Sequence, residues 1–179
     1  MKRLALLLVV AAALFGVYQA VLALVRAHVD GEIEKNVGAT LPAFSLEDTA
    51  GRTWSSDALA GKVVVLNFMR SACSSCEKEK PAVRAFASEL DPDEVVLLSV
   101  MTDRVEGYDP ATTERTLARA AFEHPFLMAD AAFVDAFHGA GWAHVTPVTY
   151  FVRRDGEIAA SLRGAQSLES LRAGLARAR

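Results

Sequence analysis

Cysteine is scarce in this sequence, with only Cys73 and Cys76 among 179 residues. A disulfide-stapled fold needs cysteines spread along the chain, so the sequence excludes a structural disulfide framework. An excess of one charge is also missing: the net charge is −3, and no basic stripe supports nucleic-acid binding. No internal repeat or low-complexity tract is present. The length suits one ordinary domain plus one extra segment.

The extra segment is N-terminal. Lys2 and Arg3 precede an uncharged, apolar stretch over residues 4–25, and about twenty such residues span a bilayer as a helix. We therefore predict a membrane anchor over residues 1–26, with the rest of the chain outside the cytoplasm, in a bacterial periplasm or at the cell exterior. A cleaved signal is the alternative, because Val21-Leu22-Ala23 can serve as a cleavage site; the protein would then be secreted.

The remaining sequence alternates between strand-like and helix-like patterns. Residues 27–40 are polar and predict a linker, and residues 41–179 predict one domain. Residues 62–68 and 95–100 are apolar and rich in β-branched side chains, which is typical of buried strands. Further predicted elements are a short hairpin near residue 51, helices over 112–123, 131–137 and 168–178, a strand over 126–128, and a hairpin around Gly156. This order indicates an α/β fold.

The two cysteines form the motif Cys73-Ser74-Ser75-Cys76 between a buried strand and a helix. Unpaired N–H groups and the helix dipole stabilise a thiolate at a helix N-terminus. The pKa of such a thiol falls, so we expect Cys73 to be the exposed nucleophile and Cys76 to resolve a mixed disulfide. Zinc binding and two inert core cysteines are the alternatives. For zinc, none of the four histidines has metal-ligand spacing.

The sequence resembles thioredoxin-like proteins of the TlpA/ResA type over about residues 41–179. The resemblance rests on Gly51-Arg52-Thr53, the run from Leu59 to Phe68, the Cys73–Cys76 motif with Pro81, Thr146-Pro147 with the strand after it, and Arg154-Asp155-Gly156 with Gly164. It implies a thioredoxin-like fold, with a central mixed β-sheet and flanking helices, preceded by one N-terminal transmembrane helix. It also implies a cis Pro147 and a partner-binding role for Thr146 and Pro147.

Two more positions follow from the same comparison. Asn67 occupies the strand position where thioredoxin carries a buried aspartate, and Glu79 occupies a position where this type carries a glutamate. Glu79 follows Cys76 by three residues, so it returns to the same helix face and is a candidate proton-handling group; a solvated helix charge is the alternative. Met69-Arg70-Ser71-Ala72 stands where this type usually carries Trp before the first cysteine and aromatics further upstream. Arg70 either lies near the Cys73 thiolate or is a solvated loop residue.

We therefore predict a thiol–disulfide oxidoreductase with catalytic Cys73, Cys76 and Glu79, no metal and no cofactor beyond the Cys73–Cys76 disulfide. The expected partners are protein disulfide substrates, such as proteins of cytochrome c or metal-centre assembly, and an upstream membrane thiol reductant. One alternative is a copper-binding assembly protein that uses the same cysteines and a loop histidine. The other is a peroxiredoxin-like peroxidase, although Arg70 stands where its Thr or Ser is expected.

Overall fold

The structure is a computed structural model that describes residues 2–179. The chain forms two compact units, one ending at Glu32 and one running from Ile33 to Arg179. The first unit consists of helix α1, which spans Lys2–Glu34 and so ends just inside the second unit. Helix α1 is long and apolar enough to cross a membrane, which confirms the predicted candidate span. A signal sequence meets the same criteria, so anchor and cleaved signal both stay open.

The segment predicted as a linker, residues 27–40, differs from that expectation. Its first part continues α1 as far as Glu34, because polar residues alone do not end a helix. Its last part pairs with the second unit: Gly38 N donates to Ile158 O, and Ile158 N donates to Ala39 O. Residues from Ile33 onward therefore belong to the folded unit rather than to a free tether. The functional boundaries at 26 and 40 remain predictions.

A five-stranded mixed sheet forms the centre of the second unit, in the order β5-β4-β3-β6-β7. Strands β3, β4 and β5 run parallel to one another, whereas β6 pairs antiparallel with both β3 and β7. A separate antiparallel pair, β1-β2, is the predicted short hairpin. The strands are β1 (Ser45–Glu47), β2 (Thr53–Ser55), β3 (Val63–Met69), β4 (Val95–Met101), β5 (Phe126–Met128), β6 (Val148–Val152) and β7 (Ile158–Arg163).

Helices cover both faces of this sheet. The helices of the second unit are α2 (Ser74–Ala87), α3 (Asp103–Glu106), α4 (Pro110–Ala120), α5 (Ala131–Phe137) and α6 (Leu168–Ala178). Val63 and Val65 of β3 share a core cluster with residues of α2 and α6. Phe68, on the opposite face of β3, packs against Phe133 and Phe137 of α5. This is the predicted α/β arrangement, and it buries β3 on both faces.

In the second unit, α5 and α6 have the predicted bounds and α4 does not. Ser167 caps α6 as predicted, accepting a hydrogen bond from Ser170 N at 3.1 Å. Helix α4 begins after Asp109 rather than at residue 112, because the Asp109 carboxylate accepts from Thr112 N and fixes the start of the helix. It ends at Ala120, three residues earlier than predicted, because Ala121 adopts a left-handed conformation with φ 47°.

Candidate active site

The two cysteines lie where the central strand passes into helix α2. Cys73 is the N-cap residue of α2, and Cys76 N donates to Cys73 Sγ at 3.1 Å. The two side chains form a disulfide, with Cα atoms 5.2 Å apart. The sulfur of Cys73 thus lies at the positive end of the helix dipole and accepts one of its unpaired N–H groups. This geometry is suited to stabilising a thiolate at Cys73.

Cys73 is more buried than the sequence predicted. Cys73 is 7% exposed and Cys76 is 4% exposed, so the expectation of an exposed Cys73 is wrong for the disulfide form. The cause is a small apolar cluster around the pair, in which Met69, Met101 and Phe126 are buried. The exposed fractions of the two cysteines therefore do not identify the nucleophile. Its assignment depends on the position of each cysteine in the helix.

Thr146, which precedes Pro147, lies directly against the disulfide. The Thr146-Pro147 peptide bond is cis, as the resemblance implied. Thr146 Oγ1 donates to Cys73 Sγ at 3.4 Å, and Thr146 O lies 3.6 Å from the same sulfur. The structure therefore brings both predicted partner-binding residues to Cys73, while their role in binding stays a prediction.

Glu79 lies on the buried face of helix α2. Only 2% of the residue is exposed, so it is not a solvated charge. Its Oε2 accepts from Asn67 Nδ2 at 3.1 Å, and its Oε1 accepts from Gln166 N at 3.1 Å. Burial raises the pKa of the Glu79 carboxyl above its ordinary value, although the two hydrogen bonds act in the opposite direction. Asn67 Nδ2 also donates to Thr149 Oγ1 at 2.9 Å, and this second hydrogen bond fixes the Asn67 amide that contacts the Glu79 carboxyl.

A second buried carboxylate, Asp103, was missed from the sequence. Only 1% of Asp103 is exposed, and its oxygens accept from Ser71 N at 2.7 Å, Ser71 Oγ at 2.6 Å and Thr113 Oγ1 at 2.7 Å. Ser71 lies two residues before Cys73, so Asp103 holds the backbone that leads to the disulfide. The order of the elements could have indicated Asp103. It follows β4, which runs parallel to β3, and the carboxyl ends of parallel neighbouring strands meet at one edge of a sheet. Residues that follow β3 and β4 are therefore expected to lie close together.

Arg70 is half-buried and hydrogen-bonded, so the solvated-loop alternative is wrong, while its proximity to the Cys73 thiolate stays a prediction. Its Nε donates to His144 O at 3.2 Å, and its Nη1 donates to Ser71 O at 3.2 Å and to Tyr108 Oη at 2.6 Å. The guanidinium is therefore not a solvated loop charge, and its hydrogen bonds go to these oxygens rather than to Cys73. It joins the loop before Cys73 to the loop before Thr146.

Two histidines that precede Thr146, His138 and His144, lie in different settings. His138 is fully buried, with Nδ1 3.3 Å from Tyr150 Oη, and burial lowers its pKa to about 4. His144 is exposed and its ring lies near that of Trp142. Within residues 2–179, no group of three or more His, Cys, Asp or Glu side chains is arranged to hold a metal ion. The expectations of no metal and no cofactor stay predictions.

A Cys-x-x-Cys disulfide at a helix N-terminus, in contact with a cis-proline loop beside a five-stranded mixed sheet, defines a thioredoxin-like thiol–disulfide oxidoreductase. The model of the AhpC/TSA family matches residues 37–161, and the chain belongs to that family.

Curated relatives and solved structures agree with this class. The chain is 26% identical to the thiol-disulfide oxidoreductase ResA of Geobacillus thermodenitrificans over 136 residues, which is 76% of this chain and 74% of the relative. It is 23% identical to ResA of Bacillus anthracis over 75% of this chain and 74% of the relative. Enzyme class and TlpA/ResA-type resemblance are thereby confirmed.

Two crystal structures support the fold alone. StoA from Bacillus subtilis matches with a TM-score of 0.60 and 21% identity, over 75% of this chain and 97% of StoA. A secreted disulfide oxidoreductase from Mycobacterium tuberculosis matches with a TM-score of 0.60 and 20% identity, over 74% of this chain and 94% of that one.

Proposed function

We propose that this protein is tethered to a membrane by its N-terminal helix and reduces disulfides of specific protein partners outside the cytoplasm. The observation that carries the proposal is the position of Cys73 Sγ, which lies at the N-terminus of α2 and within 3.4 Å of Thr146 Oγ1. A sulfur there is both activated by the helix and adjacent to a backbone segment that a partner strand can approach.

The proposed reaction is a two-step exchange that starts from the dithiol form. The Cys73 thiolate attacks one sulfur of a partner disulfide, and the other partner sulfur leaves as a thiolate. The Cys76 thiolate then attacks Cys73 Sγ, the Cys73–Cys76 disulfide forms, and the second partner sulfur leaves. Two electrons pass to the partner, and an upstream membrane dithiol reductant restores the protein. No metal or organic cofactor takes part.

Glu79 is proposed to accept the proton of Cys76. Its raised pKa lets it hold a proton closer to neutral pH than an ordinary carboxylate does. Cys76 and Glu79 are both buried residues of α2, three positions apart, so they share one helix face. Asn67 and Gln166 hold the carboxyl in place through its two oxygens.

Thr146 and Pro147 are proposed to bind an extended segment of the partner beside Cys73. The resemblance to TlpA/ResA-type proteins extends the proposal to apocytochrome c or a metal-centre assembly protein as partner. The location outside the cytoplasm follows from the apolar N-terminal helix and from the dithiol chemistry, which suits an oxidising compartment.

Trapping tests the proposal directly. Full-length Cys76→Ser, expressed in membranes, should accumulate a mixed disulfide with the partner, because the resolving thiol is gone. The covalent complex is isolated without reductant and identified by mass spectrometry. Cys73→Ser is the matched control and should trap nothing. Equal trapping by the two variants would contradict the assigned roles, and trapping by neither would count against reduction of protein disulfides.

The two rival functions have separate readouts. A copper-binding assembly protein would retain about one equivalent of Cu(I) after purification in reduced form, and would lose it in Cys73→Ser. A peroxidase would consume hydrogen peroxide at a rate that depends on Cys73 but not on a protein disulfide. Insulin reduction without copper retention or peroxide consumption supports the proposed reductase.

A further inference from the structure

Arg70 carries a positive charge that is held between the loop before Cys73 and the loop before Thr146. Three acceptors hold its guanidinium: His144 O, Ser71 O and Tyr108 Oη. All three are neutral, so they orient the group without cancelling its charge. The side chain is half-buried, which limits the rotamers it can adopt.

No carboxylate within residues 2–179 forms an ion pair with Arg70. Other arginines of the second unit do pair: Arg154 with Glu94 at 3.4 Å, and Arg172 with Glu89. Asp103, which binds the neighbouring residue Ser71, is already occupied by donors from Ser71 and Thr113. The charge of Arg70 is thus left without a carboxylate, and no hydrogen bond from its Nη2 to a described residue is formed.

The guanidinium of Arg70 lies next to the segment that a partner is proposed to follow to Cys73. Ser71 lies two residues before Cys73, and His144 lies two residues before Thr146, so Arg70 connects the two segments that flank Cys73 Sγ. A segment that reaches Cys73 along Thr146 passes this guanidinium. We propose that Arg70 is a specificity-determining residue that selects partner disulfides with Asp or Glu close to the reacting cysteine.

The proposal rests on the proposed function and adds the substrate class to it. A fixed guanidinium with free donors binds a carboxylate through one or two N–H groups at little cost in side-chain order. The same charge attracts an acidic segment during encounter, and salt screens this attraction. The preference should therefore appear in the second-order rate constant, and it should weaken at high salt.

The test uses the full-length protein, pre-reduced with dithiothreitol and freed of it, in an uncharged detergent. The substrates are peptides with one internal disulfide that differ only in the flanking residue, which is Glu, Gln or Lys; 2-hydroxyethyl disulfide gives the uncharged baseline. Single-turnover loss of protein thiols is measured at low salt and at about 0.5 M salt. The variants are Arg70→Met, which removes the charge, and Arg70→Lys, which keeps it. Arg84→Met is the matched control, since Arg84 is exposed and lies at the other end of α2.

In the wild type, the Glu peptide should react roughly tenfold faster than the Gln peptide at low salt, and the Lys peptide should be slowest. With each rate divided by that variant's own rate with 2-hydroxyethyl disulfide, Arg70→Met should abolish the difference between the Glu and Gln peptides, and Arg70→Lys should keep part of it. Arg84→Met should behave as the wild type.

Equal rates for the Glu and Gln peptides in the wild type would overturn the proposal while leaving the reductase function intact. So would an Arg70→Met variant that slows every substrate equally, because that pattern indicates a changed Cys73 thiol. Failure to reduce any substrate would instead overturn the proposed function, and the specificity with it.

Discussion

Cys73 and Cys76 differ in their helix position much more than in their exposure. Because Cys73 Sγ accepts Cys76 N–H at the helix N-cap, we expect the reduced Cys73 to react with iodoacetamide faster than Cys76 at neutral pH. Its titration midpoint should lie below the ~8.5 of a free thiol. Single variants Cys73→Ser and Cys76→Ser, alkylated over a pH series and quantified by mass spectrometry, measure each thiol alone. Faster alkylation of Cys76 would reverse the roles.

Glu79→Gln tests the proposed proton acceptor. The variant keeps the side-chain length but cannot titrate, so disulfide reduction should slow by roughly 10- to 100-fold and its pH dependence should change. The rates are measured between about pH 5 and 9 with the full-length protein. Glu77→Gln is the control, because Glu77 is an exposed residue of the same helix that pairs with Lys80 at 2.7 Å. Overlapping profiles for wild type and Glu79→Gln would remove Glu79 from the mechanism.

The same variant should change stability with a definite sign. The folded-state pKa of Glu79 is raised, so its stabilising contribution is present at acid pH and is lost as the pH rises through that pKa. Relative to wild type, Glu79→Gln should therefore gain stability on going from acid to neutral pH. A difference that is independent of pH would contradict the raised pKa.

Asp103 is a residue of the candidate site that the sequence pattern did not predict. Glu79 was found because its spacing from Cys76 on one helix can be read along the chain. Asp103 binds Ser71, 32 residues away, and only the pairing of β3 with β4 brings the two together. Long-range pairing is not encoded in local periodicity, so a buried carboxylate between two loops has no local pattern.

Asp103→Ala should be strongly destabilising, because it removes the acceptor of Ser71 N and of the buried Thr113 hydroxyl. The expected loss in free energy of unfolding is about 2–4 kcal/mol, with slower reaction at Cys73. Asp109→Ala is the control: Asp109 is an exposed helix cap, and its loss should cost about 1 kcal/mol. Thermal unfolding in detergent measures both. Equal small effects would show that the Asp103 hydrogen bonds contribute little.

At the scale of elements, helix α6 packs on β6 at a single glycine. A Cβ atom added at Gly174 would overlap the ring of Phe151, so the helix approaches the sheet only because this residue has no side chain. Gly174→Ala should therefore destabilise by about 1–3 kcal/mol, as overpacking does. Gly31→Ala is the matched control, because Gly31 is also helical but has open space around its Cα. A neutral Gly174→Ala would show that α6 can shift without cost.

Element types could be predicted from the sequence, but some of their ends could not. The run Val63–Met69 is apolar on both faces, and this pattern identified the buried strand β3. The end of α4 depends on the left-handed backbone of Ala121, which an alanine does not signal. The continuation of α1 to Glu34 was missed because a change from apolar to polar residues marks a change of environment rather than a helix end.

At the scale of the whole molecule, the N-terminal helix and the folded unit make separable predictions. If α1 is an anchor, carbonate extraction should leave the full-length protein in the membrane pellet, and deletion of residues 1–26 should make it soluble. A mature soluble form that starts near Leu24 would show a cleaved signal instead.

The extent of the deletion also matters, because residues 38–41 contribute to the folded unit. Leu41 N donates to Gly156 O, and Gly38 and Ala39 pair with Ile158, so these residues extend the hairpin formed by β6 and β7. Deletion of residues 1–26 leaves these contacts intact and should give a soluble protein that still reduces disulfides. Deletion of residues 1–41 removes several backbone hydrogen bonds and the buried Ile33, and should lower the unfolding temperature by several degrees. Equal unfolding temperatures for the two truncated proteins would show that residues 33–41 act only as a tether.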